Sequence, residues 1–258
     1  MIKKIDYDGI SKVYDVSRGI NTGVLEDLCK ILKVTSKSYL IDLGCGTGNF
    51  AIALQQFSKR IIGIDLSRSM VRETQSKSPN LQVLHGDVSF LPFNSETFDG
   101  AYSIQVLHHI KEKEQFLREI YRILRNNAKV TINSCSHKQH EAFWVLHYFP
   151  RGLEVDLERI PDVKEIESML KKAGFSNVSS KICRSDAILI DQKPENYLNK
   201  QYRDGLSTFA LLTEEEIETG CNKIREDIAS GKVYEILREY NEKWTDFGGS
   251  TFIFGKKK

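Results

Sequence analysis

The segment best equipped for chemistry runs Leu40-Ile41-Asp42-Leu43-Gly44-Cys45-Gly46-Thr47-Gly48-Asn49. A mostly apolar run leads into three glycines spaced two apart. Glycine reaches positive φ and lets a ligand approach the backbone with no Cβ in the way. A strand that delivers such a cluster to the start of a helix presents free N–H groups to a phosphate or a carboxylate. The dinucleotide pattern G-x-G-x-x-G needs its third glycine at 49, where Asn49 stands. The spacing here is G-x-G-x-G. Asp65 follows about 20 residues on, where an acidic residue accepts from ribose hydroxyls. Nucleotide and nucleoside cofactors share that feature, so Asp65 alone leaves the ligand open, and so does a glycine cluster taken alone.

The elements that position these residues follow from hydrophobic periodicity. Short apolar runs at 39–43, 61–65, 81–85, 99–104 and 129–134 predict buried strands. Helices are expected between them, roughly over 49–57, 67–76 and 115–124, the last with Phe116, Leu117, Ile120 and Leu124 on one side. Residues 10–34 read as helices broken near Gly19–Gly23, with Val24, Leu25, Leu28, Ile31 and Leu32 on one face. Strand and helix alternate, which predicts an α/β fold: a doubly wound, mostly parallel sheet with helices on both faces. After Ser136 the pattern changes. Residues 137–160 read as irregular and aromatic-rich. A helix is expected over 163–173, stopped by Gly174, then strands at 175–183 and 187–190. Residues 194–244 read as mostly helical, with Thr213 as cap and an acidic first turn in Glu214, Glu215 and Glu216. A last strand, 251–254, follows the break at Gly248-Gly249.

Residues 40–48 resemble the core motif Val-Leu-Asp-Leu-Gly-Cys-Gly-Thr-Gly of class I S-adenosylmethionine (SAM)-dependent methyltransferases. The resemblance continues in order. Ile61 to Met70 (IIGIDLSRSM) resembles the second motif. Leu84-His85-Gly86-Asp87-Val88 with Leu91-Pro92-Phe93 resembles the third. Phe98 to Ser103 (FDGAYS) and Val106 to Ile110 (VLHHI) resemble the fourth. It is strong over about residues 36–135 and closest to the subgroup of quinone-biosynthesis and small-molecule methyltransferases. One departure is Arg125-Asn126-Asn127-Ala128, where the family usually has Lys-Pro-Gly-Gly; Asn tolerates the left-handed conformation, so the turn still forms.

The resemblance implies a seven-stranded sheet in a single domain, 1–258. Residues 36–135 would be the cofactor core, with 136–160 and 194–246 as substrate lid or insert. It implies SAM as cofactor. Gly44, Cys45, Gly46 and Gly48 would line its methionine part, with Asp42 near the ammonium. Asp65 would hold the ribose, Leu66 and Met70 would flank the adenine, and Gly86, Asp87 and Val88 would reach its edge. Ile104 and Gln105 would border the sulfonium, and Tyr14 on a leading helix would close over the cofactor, with Tyr7 near it. For Leu66, Met70 and Ile104 the bland alternative is plain core; for Asp65 and Asp87 it is a strand-end cap; for the tyrosines it is core or surface.

Methyl transfer is an in-line displacement that needs alignment, exclusion of water and, for some acceptors, removal of a proton. His108 and His109 follow the fourth strand, where ligands bind in open α/β sheets, and an imidazole there can act as general base, or only cap and pack. Phe143, Trp144, His147 and Tyr148, with Phe149, read as a lid or substrate wall for a ring-containing acceptor, or as core. His137, His140 and His147 fit no tight metal-ligand spacing, so no metal is expected.

The bulk properties agree with a small-molecule enzyme. In 258 residues, 37 Lys and Arg stand against 35 Asp and Glu. That balance argues against a nucleic-acid partner, and the stretch Ser103-Ile104-Gln105-Val106 lacks the Asn/Asp-Pro-Pro-Tyr/Phe motif of amino-methylating nucleic-acid enzymes. The only basic run, Lys256-Lys257-Lys258, reads as a solvated tail. Five scattered cysteines suggest reduced thiols, not a disulfide framework or the thiolate set of an arsenite methyltransferase. With no signal-peptide pattern and no apolar run approaching 18 residues, a cytoplasmic protein without a membrane partner is expected, monomeric or homodimeric. A non-catalytic SAM-binding module shares every cofactor motif and stays open.

Overall fold

The computed structural model describes Asp15, residues 20–184 and residues 193–258. Tyr14, Tyr7 and the expected strand at 187–190 lie outside the described residues.

Five parallel strands form in chain order: β1 (Tyr39–Leu43), β2 (Arg60–Asp65), β3 (Gln82–His85), β4 (Phe98–Ile104) and β5 (Leu124–Ser134). With β6 (Ser176–Cys183) and β7 (Ser250–Lys256) they make a seven-stranded sheet ordered β3-β2-β1-β4-β5-β7-β6. β7 runs antiparallel to both β5 and β6. The chain moves outward from β1 to β3, then returns to lay β4 on the other side of β1. The order reverses between β1 and β4, and open α/β sheets bind ligands at the carboxyl ends of strands beside such a reversal.

Alternation along β1 explains why both sheet faces are covered. Ile41 and Leu43 enter one core with Phe116, Leu117, Ile120 and Ile123 of α4 (Lys113–Ile123). Leu40 points into the other, with Val24, Leu25, Leu28, Ile31 and Leu32 of α1 (Thr22–Leu32). Asn21 starts α1 by accepting from Gly23 N at 2.8 Å, satisfying an end-of-helix N–H. Helices α2 (Asn49–Leu54) and α3 (Arg68–Lys77) follow β1 and β2. Ser67 caps α3, accepting from Met70 N at 3.2 Å.

The segment expected to be irregular is instead ordered helix. Ser136 and Gln139 form a reciprocal capping box that opens α5 (His137–Glu141). A 3-10 turn spans Trp144–His147, and Pro150 sits at the start of α6 (Pro150–Arg159), where its missing N–H costs nothing. After α7 (Val163–Lys172) and β6 come a short α8 (Lys200–Asp204), then α9 (Glu214–Ser230), opened by the Thr213/Glu216 box, and α10 (Lys232–Phe247). Gly231, at φ 82°, turns α9 into α10. The segments 144–149 and 197–237 share one core separate from those of the sheet, built on Trp144, Tyr148, Phe149, Tyr197, Phe209 and Ile236.

The terminal lysines correct the expectation of a solvated tail. Lys256 lies in β7, and the Lys257 side chain is buried. Its Nζ donates to Leu124 O at 2.7 Å, 5.0 Å from the Tyr121 ring centre. The cause is tertiary: β7 pairs with residues 129–134 of β5, and the chain just beyond it brings the lysine to the Leu124 carbonyl at the start of that strand.

Candidate active site

The glycine cluster forms the turn from β1 into α2. Gly44, Gly46 and Gly48 adopt φ of 79°, 53° and 79°, the left-handed region that other residues enter at a cost. A Cβ on Gly44 would lie 2.6 Å from both Val106 methyls, and one on Gly48 would lie 2.5 Å from Thr74 Cγ2. The cluster is therefore required by both conformation and space. Gly44 N and Cys45 N donate to Ile64 O at 2.8 and 3.1 Å. Thr74 of α3 donates its hydroxyl to Gly46 O at 2.9 Å. Cys45 is buried beneath the turn, where it meets Gly63 of β2.

Two carboxyls flank this turn. Asp65, at the end of β2, accepts from Gly46 N at 2.8 Å and from Ser67 N at 2.9 Å. Asp42 is almost wholly buried on β1, paired in register with Tyr102 of β4. Burial is the main force on its carboxyl and the negative Asp65 adds to it, against a smaller opposing effect of the Tyr102 phenol, so its pKa is pushed up to about 8. The turn thus has a buried acid, held largely neutral, on β1 and a second carboxyl at the end of β2.

The wall beyond Asp65 is built by tying β2 to β3. Gly86 N donates to Asp65 O at 2.9 Å, and His85 Nε2 lies 3.0 Å from Leu66 O. Leu66 is 62% exposed, an apolar side chain held on the surface above this edge, whereas Met70 and Val88 are buried. Asp87 is exposed and accepts from Ser89 N at 2.8 Å.

The opposite wall is β4. Ile104 is half-buried, and Gln105 turns to φ 56°, uncommon for a side-chain-bearing residue. Gln105 N donates to Asn133 O at 3.0 Å, and its Nε2 donates to Asn133 Oδ1 at 2.8 Å and to Cys135 Sγ at 3.5 Å. Asn133 Nδ2 donates in turn to Ser250 Oγ at 2.9 Å. One chain of hydrogen bonds links β4, β5 and β7 at the crevice. His108 and His109 stand in the 3-10 turn after β4, their ring centres 3.9 Å apart, His109 exposed and His108 half-buried.

Two anchors of the turn escaped the sequence. Asp15 accepts from Thr47 Oγ1 at 2.6 Å, Asn49 Nδ2 at 2.9 Å and Lys77 Nζ at 2.6 Å. Burial opposes its charge, and these donors outweigh burial and hold its pKa below the ordinary value. Thr74 is the other. Neither carries a local signal, because both act across 28 or more residues of sequence.

Of the four side chains read as a substrate wall, Trp144 and Tyr148 are buried in the core of the helical layer. The Tyr148 hydroxyl donates to Asp227 at 2.9 Å. Phe143 is half-buried with its ring edge to Tyr197, and His147 is exposed.

Comparison with known proteins places this geometry. Residues 41–132 match the methyltransferase domain family. A demethylmenaquinone methyltransferase of Lactobacillus johnsonii is 27% identical over 199 residues, spanning 67% of this chain and 81% of that protein. A crystal structure described as a methyltransferase of an antibiotic biosynthesis pathway in Anabaena variabilis shares the fold at a TM-score of 0.79 and 24% identity, covering 93% of this chain and 98% of the other. Residues 41–132 form a methyltransferase domain, and the relatives and the shared fold support a SAM-dependent methyltransferase. The chain also shares its fold with phosphoethanolamine N-methyltransferase 2 of Haemonchus contortus, solved with phosphomonomethylethanolamine and S-adenosylhomocysteine, at a TM-score of 0.62 and 16% identity, covering 100% of this chain and 60% of that one. Among the described residues no group of His, Cys, Asp and Glu is disposed to hold a metal, and no helix is long and apolar enough to cross a membrane.

Proposed function

We propose that the crevice between β1 and β4 binds SAM and that the enzyme moves its methyl group to an O, N or C nucleophile of a small, ring-bearing acceptor in the cytoplasm, releasing S-adenosylhomocysteine. The observation that carries this reading is the pair of carboxyls at the glycine turn. A buried Asp42 with a pKa near 8 is an acid waiting for a cation. SAM brings an ammonium and a sulfonium, and a positive charge within a few ångströms restores the charged form of a carboxyl. A dinucleotide would instead set anionic phosphates at the turn, where they would hold Asp42 in its neutral form and gain nothing from its ionisation.

The residues present fit SAM. Gly44, Gly46 and Gly48 leave room for the methionine part above the turn, with Cys45 beneath, and Asp42 faces its ammonium. Asp65 accepts from both ribose hydroxyls. Leu66 offers an apolar surface to the adenine and Asp87 accepts from its amino group; Gly86, Val88 and Met70 support that wall from within. Ile104 and Gln105 border the reacting end, where the hydrogen bonds to Asn133 and Cys135 hold Gln105 in place. When bound, SAM supplies a methyl carbon on a positively charged sulfur that leaves as a neutral thioether.

The protein's own share is to align the acceptor, exclude water and take up a proton where the acceptor carries one. His108 and His109, in the turn after β4, are two candidates for that last role. The helical layer of 136–160 and 194–246 covers this edge and is the part we assign to the acceptor. The relative from Lactobacillus johnsonii is named for demethylmenaquinone, which supports a ring-bearing acceptor.

Calorimetric titration with SAM, S-adenosylhomocysteine and NAD tests the reading. Micromolar binding of the first two and none of the third is expected. A folded protein that binds neither SAM compound ends it. Binding with no turnover of any acceptor favours a SAM-binding module without catalysis.

A further inference from the structure

Outside the cofactor crevice, a second pair of side chains has the geometry of a proton-transfer site. His140 lies on α5, one turn beyond the capping residue Ser136. Its Nδ1 is 3.5 Å from Asp156 Oδ2. Asp156 is buried on α6 and fixed from three sides: Arg159 donates to Oδ1 through Nε at 2.8 Å and approaches it through Nη2 at 2.7 Å, and Thr208 donates to Oδ2 at 2.7 Å. A fixed carboxylate beside one ring nitrogen places the proton on that nitrogen. The other nitrogen, Nε2, then carries a bare lone pair. It is buried and meets no hydrogen-bond partner. A buried polar atom left without a partner costs about 1–3 kcal/mol, so its persistence calls for a reason.

The position of α5 supplies one. Gln139, beside His140, donates to Phe247 O at 2.8 Å and accepts from Ser136 N at 2.8 Å and Thr251 Oγ1 at 3.1 Å. Those bonds fasten α5 across the carboxyl end of β5 and the amino end of β7, which adjoin because β7 runs antiparallel to β5. Cys135, the residue between β5 and the cap of α5, touches Gln105 at the reacting end of the crevice. The indole N–H groups of Trp144 and Trp244, on the turn and the helix packed against α5, are also buried and unpartnered. Polar atoms in need of a partner thus gather in the layer fastened to the carboxyl end of β5, whose next residue, Cys135, meets Gln105.

We propose that His140, oriented by Asp156, is the general base of the acceptor subsite, so that the acceptor loses a proton from an O–H, N–H or acidic C–H as it is methylated. The proposal rests on the methyltransferase reading above. Nε2 takes the proton, and the electron pair so released on the acceptor atom forms the bond to the methyl carbon. The methyl–sulfur bond breaks with its pair going to sulfur, and the imidazolium later returns the proton to water. Asp156 is a positioning residue: it sets the tautomer and stabilises the imidazolium. The groups acting on His140 are Asp156 and Arg159 from α6 and His137 from its own helix. Burial, Arg159 and His137 together outweigh Asp156, so the ring is the free base at neutral pH. The 3.5 Å separation is ordinary for such a pair before substrate closes the site.

The first measurement is the tautomer. Protein labelled with 15N-histidine is expected to show His140 protonated on Nδ1 and bare on Nε2 at pH 7.5, and Asp156→Asn is expected to erase that preference. A proton on Nε2 in the wild type overturns the proposal whatever the acceptor. The second is turnover of demethylmenaquinol and of catechol with labelled SAM. His140→Ala is expected to lower kcat about 10²–10⁴-fold, with SAM affinity by calorimetry unchanged and with partial rescue by added imidazole. His140→Asn, closer in size, guards against a folding defect. Wild-type kcat/KM should fall with unit slope below the histidine pKa, and the slope should vanish in His140→Asn. A slope that survives there, or that vanishes with His108→Ala instead, overturns the proposal. Loss of SAM binding in the wild type would strike the cofactor reading, and the tautomer would still decide the dyad.

Discussion

Asp42 makes the binding of SAM a proton-linked event. A carboxyl titrating near 8 is about nine-tenths protonated at pH 7, and nearly wholly so at pH 6.5. If it must ionise to meet the ligand's ammonium, close to one proton leaves the protein for each SAM bound at pH 6.5. Below pH 8 each unit of pH then costs about 1.4 kcal/mol of binding free energy, a factor of ten in Kd. Affinity should rise about tenfold from pH 6 to pH 7 and level off above 8. The lower interval is the cleaner one, because a free α-amino group keeps its charge there and loses it near 7.7–8.0. Calorimetry in buffers of different ionisation enthalpy counts the proton directly. Asp42→Asn removes the titrating group and should bring the count near zero at pH 6.5. A buffer-independent enthalpy in the wild type, or the same count in both proteins, refutes the argument. The same shift acts on folding with the opposite sense. A carboxyl whose folded pKa is raised stabilises the fold at low pH, and that contribution is lost as pH climbs from its ordinary 3.8 towards 8. At pH 7 the accumulated cost is on the order of 4 kcal/mol as an upper figure. Asp42→Asn should therefore raise the melting temperature at pH 7 while weakening SAM binding.

Other perturbations bear on the same site. Asp65→Asn should weaken SAM about 10–100-fold, the worth of one charge-assisted hydrogen bond; it should also lower the Asp42 pKa, since the Asp65 charge helps to raise it, and a proton-count profile unmoved on the pH axis contradicts that coupling. Gly48→Ala forces a side chain to φ 79° against Thr74, costing about 1–2 kcal/mol from conformation alone. That is a fall of about 2–8 °C in Tm for a chain of this size, with SAM binding impaired; an unchanged melting curve speaks against a strained turn. Lys257→Met deletes the donor to Leu124 O and should destabilise by about 1 kcal/mol in urea denaturation, whereas a solvated tail predicts no change.

The cofactor half of the fold was legible because its signals are local. The strand-glycine-helix order around residues 40–54 is written in hydrophobicity and glycine spacing, and the strand of Asp65 likewise. Asn127, one of the two asparagines read as tolerating a left-handed backbone ahead of the strand expected at 129–134, stands at φ 68°, although the observed strand already begins at Leu124. What failed depended on partners far along the chain. Residues 137–160 looked irregular because they form an aromatic-rich run with no clean helical period, in which the Ser136/Gln139 capping box and the Pro150 that opens a helix are the only start signals. Lys257 is buried only because β7 brings it to Leu124. The αL backbone of Gln105 has no sequence signature, since glutamine does not favour it; the hydrogen bonds to Asn133 hold it there.

The order β5-β7-β6 has a consequence for how the molecule is made. β7 lies between two strands that precede it in the chain, and among the described residues β6 pairs with β7 alone. Until residues 250–256 leave the ribosome, β5 presents an open edge and β6 lacks its strand partner. A growing chain can complete the β1–β5 ladder, glycine turn included, and still lack the Ser250 that fastens Asn133 behind Gln105. Two ladders then close in a single step. The interval before that step leaves unpaired backbone exposed, so the nascent chain carries an aggregation-prone edge until β7 has emerged.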